Sequence, residues 1–71
     1  MPRVINVDVH REGRWWVSDI PAADAVAQSA IWREVRKDAL AVAAGMLNVP
    51  TESLRIGALR RTAKPTFAVT D

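Results

Sequence analysis

The chain has no cysteine and no tyrosine, a single histidine, a single phenylalanine and only two lysines. Without thiols, neither a disulfide framework nor a thiolate metal site can stiffen it, and one imidazole does not build a zinc site. Its three glycines, Gly13, Gly45 and Gly57, stand apart, so there is no glycine-rich loop to cradle a phosphate. No run approaches the roughly 18 apolar residues of a membrane span, and neither a secretory leader nor a lipidation signal is visible. A cytoplasmic location is therefore expected, with no metal and no cofactor. With 71 residues the chain makes one domain. A domain this small buries only about 60% of the surface its unfolded form exposes, so it is expected to gain stability by oligomerising or docking on a partner.

The longest periodic stretch is Ile31 to Leu47. Ile31, Val35, Ala39, Val42 and Met46 recur at steps of three and four, Trp32 and Ala43 widen the stripe, and Arg33, Glu34, Arg36, Lys37 and Asp38 fall elsewhere. This predicts one long helix with a single face to bury. Ser29 is the expected N-cap, Asn48 the left-handed residue beyond the last turn, and Pro50 the stop. Gly45 is expected near the frayed end of that helix.

Before the helix, RVINVDVH from Arg3 to His10 alternates, with Ile5, Val7 and Val9 on one face. Trp15 to Ile20 reads as the second strand, ended by Pro21. With Glu12-Gly13 as a two-residue turn, Val9 falls opposite Trp16, Val7 opposite Ser18 and Ile5 opposite Ile20, while His10, Asp8 and Asn6 meet Trp15, Val17 and Asp19 on the other face. Trp16 is thus a core residue and Trp15 is not. Ala25 to Ser29 fits a short third strand. Leu54 to Leu59 fits a fourth, alternating Leu54, Ile56 and Ala58 against Arg55, Gly57 and Leu59. Residues 60–71 read as a basic tail beyond a domain of residues 1–59, with Thr66 to Thr70 either a fifth strand or a loose end. The fold expected is α+β, ββ(β)αβ, with the helix across the Ile5, Val7, Val9, Trp16 and Ile20 face of a small antiparallel sheet.

Chemistry has few footholds. His10 is the only imidazole, with no nucleophile spaced to use it, and catalysis is not expected. Asp8, Asp19 and Asp24 could converge as a cation site, but Arg11 and Arg14 stand by to neutralise them, and solvated acids on an open sheet face explain them as well. Three tryptophans are more informative, because each joins a large apolar area to one polar N–H. Trp15 and Val17 on the outer face predict an apolar patch that a partner covers, with His10 and Asp8 beside it.

The segments RVINVDVHREGRWWVSDIP and AVAQSAIWREVRKDALAVAAGMLNVP resemble the N-terminal partner-binding domain of HicB-family antitoxins, particularly short actinobacterial members. The features that carry the likeness are Gly13-Arg14-Trp15-Trp16-Val17, Ile20-Pro21, Gln28, Glu34-Val35 and Asn48-Val49-Pro50. Twelve alanines and eight arginines accord with a GC-rich genome of such a host or its phages. The resemblance implies a partial, catalytically empty ribonuclease-H-like fold that binds a small HicA-like mRNA-cleaving toxin and blocks its active site. In place of the Gly-containing turn and threonine cap usual before the helix, this chain has Asp24 to Ala30. It also ends twelve residues after the fourth strand, where full antitoxins continue into a DNA-binding domain. The same module redeployed would bind a host protein. The alternative expectation is a small nucleic-acid-binding protein using Arg55, Arg60, Arg61 and Lys64 on backbone phosphates. A homodimer is also expected, through the outer patch and the last strands.

Overall fold

The computed structural model describes residues 2–62. Lys64 and the expected strand over Thr66 to Thr70 lie outside the described residues. The elements are β1 (Arg3–Glu12), β2 (Trp15–Ile20), a 3-10 turn (Pro21–Ala23), β3 (Ala25–Ser29), a second 3-10 turn (Trp32–Glu34), α1 (Val35–Leu47), a third 3-10 turn (Thr51–Ser53) and β4 (Leu54–Arg61). The strands form one sheet in the order β3-β2-β1-β4, with α1 packed on one face. The fold is α+β as expected, but the sheet is mixed. The β1–β2 and β2–β3 pairs are antiparallel, whereas β4 runs parallel to β1. A chain that leaves β3 and crosses by way of a helix arrives on the far side of β1 in the same direction, which alternation within β4 cannot reveal. No helix among the described residues is long and apolar enough to cross a membrane.

The β1–β2 hairpin turns at Gly13-Arg14, one residue later than expected. Gly13 has φ +60 and is the only glycine among the described residues with a positive φ, so it supplies the first position of a type II′ pattern. Val9 therefore faces Ser18, His10 faces Val17 and Glu12 faces Trp15. A shift of two in pairing leaves every side chain on its predicted face, so Ile5, Val7, Val9, Trp16 and Ile20 still line the core.

Strand β4 departs from simple alternation. Its pairing with β1 slips between Ile5 and Asn6, so that Ile56 pairs with Ile5, Ala58 with Asn6 and Leu59 with Val7. Gly57 is the extra residue of this bulge, and the Asn6 Oδ1 accepts a hydrogen bond from the Ala58 N–H at 3.2 Å. A side chain at position 57 would run into Val4. The bulge turns Leu59 onto the core side in place of Ala58, and β4 continues through Arg61 rather than ending at Leu59.

Helix α1 is shorter than the expected Ile31 to Leu47. Ile31 is extended, at φ −125, and residues 32–34 form a 3-10 turn, so the regular helix begins at Val35. Ser29 is not its N-cap. It ends β3, buried, and its Oγ donates to Asp38 Oδ2 at 2.7 Å across the strand–helix interface. The C-terminal end is as expected, with Asn48 at φ 58 and the Val49 N–H bonded to the Ala44 carbonyl at 3.0 Å. Gly45 lies on the exposed side two residues before that end.

The buried row of α1 is Val35, Ala39 and Ala43, joined by Ala44, with Leu40, Val42 and Leu47 at its margins. Ile31 and Met46, expected in the core, are 50% and 60% exposed. The smallest side chains occupy the centre because they let the helix come close to Ala25 and Ala27 on β3, which displaces the bulkier Val42 and Met46 to the periphery.

Candidate functional site

The face of the sheet turned away from α1 is built by period-two geometry. It carries Asp8, His10 and Glu12 from β1, Trp15, Val17 and Asp19 from β2, Val26 and Gln28 from β3, and Arg55 and Arg60 from β4. His10 and Val17 are direct cross-strand neighbours, as are Glu12 and Trp15. The His10 Nε2 lies 2.7 Å from Glu12 Oε2, and its Nδ1 lies 3.8 Å from Asp19 Oδ2. Asp8 is 4.0 Å from the Arg60 Nε. One imidazole is thus ringed by carboxylates, with an indole at the margin.

All of Trp15, Val17, His10 and Asp8 share this face, yet they do not form the open apolar patch expected. Trp15 is 41% exposed, but Val17 is only 7% exposed and His10 8%. A short β-branched side chain on a central strand, flanked in register by His10 and Gln28, stands lower than its neighbours and is shielded by them. Val26, 58% exposed on edge strand β3 opposite Asp19, was not anticipated and is a second exposed apolar side chain on this face.

The acidic residues do not assemble a cation site. Asp8 and Asp19 are paired in register across β1 and β2. Asp24 serves the backbone, with φ 51 and its N–H on the Pro21 carbonyl at 3.1 Å. Among the described residues no three of His, Asp and Glu are placed to hold a metal ion.

The basic set expected for nucleic acid is divided by alternation along β4, and the bulge decides which arginine takes which face. Arg55 and Arg60 lie on the outer face, whereas Arg61 reaches the opposite face, its Cζ 4.8 Å from the centroid of Trp16 and 5.5 Å from that of Trp32. The Arg11 Cζ lies over Trp16 as well, at 4.8 Å. The two rings meet edge to face, with centroids 4.8 Å apart and planes at 69°. Trp32, expected in the core, is 41% exposed and serves as the lid of this cluster. A pocket of about 270 Å³ lies beside it, lined by Trp32, Arg33, Val35, Arg36 and Leu59. Reading by sequence missed this second grouping because its members come from four separate elements; the lone Gly57, which marks the bulge, was the available signal.

No protein-family model, no curated protein and no solved structure matches the chain.

Proposed function

We propose that the chain is a non-catalytic protein-binding module of the HicB antitoxin type, which grips a small protein partner with its outer sheet face and occludes that partner's working surface. The observation that carries this reading is Trp15, a large indole 41% exposed on a sheet face that α1 leaves uncovered, beside an imidazole flanked by carboxylates. An exposed indole with charged neighbours has the character of an interface anchor, burying much area at little conformational cost. The carboxylates Asp8, Glu12 and Asp19 suit a basic partner, as an RNA-cleaving toxin would be. The arrangement of three strands, a helix and a fourth strand accords with the partial ribonuclease-H-like fold that the resemblance implies.

The test is direct inhibition. Added to a purified HicA-like toxin, the chain is expected to stop mRNA cleavage at stoichiometric amounts, and Trp15→Lys is expected to weaken that inhibition by roughly 30-fold or more, as loss of a hot spot of about 2 kcal/mol implies. Full inhibition by Trp15→Lys would remove the outer face from the interface. Absence of inhibition by the wild-type chain would leave a host protein as the partner class to pursue.

A further inference from the structure

On the face opposite Trp15, at the hairpin end of the sheet, four arginines lie around the two edge-to-face indoles. Arg11 is in register with Trp16, Arg61 with Val9, and Arg33 and Arg36 project from the start of the helical segment beside the 270 Å³ pocket. Among the described residues none of the four pairs with a carboxylate, in contrast to Arg60 on Asp8 and Lys37 on Glu34. Arg11 donates from its Nε to the Gly13 carbonyl at 3.0 Å, and among the described residues the other three make no side-chain hydrogen bond. A guanidinium whose charge sits over an indole still has N–H donors at its edge, and can present them as a fork to an oxyanion.

We infer that this surface is a second docking site, for an extended acidic peptide segment of a protein partner lying between β4 and the start of α1. The charge selects an anion. The pocket floor of Val35 and Leu59 suits an aliphatic side chain between the acids. Strand β4 is the last of the sheet among the described residues and offers backbone groups to a segment laid along it. Nucleic acid fits less well, because guanidiniums already lie over both indoles where bases would otherwise stack.

Calorimetry and tryptophan emission on the whole chain, in physiological salt, test this with three probes: a short peptide alternating glutamate and leucine, the same peptide with glutamine for glutamate, and a short oligothymidylate. The acidic peptide is expected to bind and to shift the emission, with the glutamine version weaker by roughly tenfold or more. Arg36→Gln, at an exposed position where the fold does not depend on it, is expected to weaken the acidic peptide to a similar degree, with an unchanged melting curve. Arg61→Lys is expected to weaken it too, since the charge remains but the fork is lost. Trp15→Lys is expected to leave this binding intact, which separates it from the outer-face reading. Tighter binding of oligothymidylate than of the acidic peptide would overturn the proposal in favour of a nucleic-acid surface. No binding of any probe would reduce the arginines to a cover for the indoles.

Discussion

Two serines on the same side of the sheet show how much depends on a hydroxyl finding a partner. Ser18 is fully buried between Val9 and Ala27, and its Oγ has no hydrogen-bond partner among the described residues. Ser29, one strand away and also buried, gives its proton to Asp38. Removing an unsatisfied hydroxyl while keeping the shape relieves a desolvation penalty, whereas removing a satisfied one strands its acceptor. Ser18→Ala is therefore expected to stabilise the domain by about 1 kcal/mol, and Ser29→Ala to destabilise it by about 1–2 kcal/mol. In a domain of this size each kcal/mol moves the melting midpoint by about 4–8 °C, so thermal melts should shift in opposite directions. A drop for Ser18→Ala would mean that its hydroxyl has a bound partner after all. The small volume of Ser18 also suits its place beneath the alanine-lined helix, where a larger side chain would push α1 away.

Among the elements, β1 and β2 were legible in the sequence because a strict alternation assigns faces whatever the turn. The register was not, since pairings two residues apart are equally good for Ile5, Val7 and Val9, and only the φ +60 of Gly13 decides between them. The helix was legible in its C-terminal half, where Asn48 and Pro50 punctuate it. Its start was misread because Ile31 and Trp32 continue the apolar spacing without being helical. Strand β4 was legible as a strand, but its partner and direction depend on a crossover that no local pattern encodes, and its bulge breaks the period on which the reading relied. Of the outer-face residues, placement was legible and exposure was not, because exposure depends on how tall the neighbours stand. The glycines test this account. Gly57→Val would force a branched side chain against Val4 and is expected to cost about 1–3 kcal/mol. Gly45→Ala, on the open side of α1 with nothing near the added carbon, is expected to gain up to about 1 kcal/mol. Chemical denaturation of the two variants should separate them clearly, and equal stabilities would refute the crowding at position 57.

For the molecule as a whole, a core made of Ile, Val and many alanines is thin, and a second copy would add the buried area that a short chain lacks. A homodimer remains our expectation, with Trp15 and Val26 supplying the apolar part of the contact. Light scattering at micromolar concentration should then report twice the 7.8 kDa chain mass, and Trp15→Lys should shift it toward the single-chain value. A single-chain mass at every concentration would assign Trp15 wholly to a foreign partner. The division of charge between the two sides has a simpler root. Past Gly57, which residue points up and which points down is a matter of odd and even counting, and one extra position in β4 sets the count. An unbulged pairing that kept Gly57 opposite Asn6 would change no charge in the chain, yet it would carry Arg60 over to Val9 and the indoles and send Arg61 to the outer face beside His10. Adjacent arginines are chemically the same, so the exchange itself is mild; Leu59, thrown out of the core by the same step, is what makes the count matter. Loss of Gly57 alone would straighten β4 and leave Leu59 opposite Val7, whereas one residue more beyond Ala58 would turn Leu59 outward, so this strand is expected to tolerate the loss of its bulge and not a further insertion.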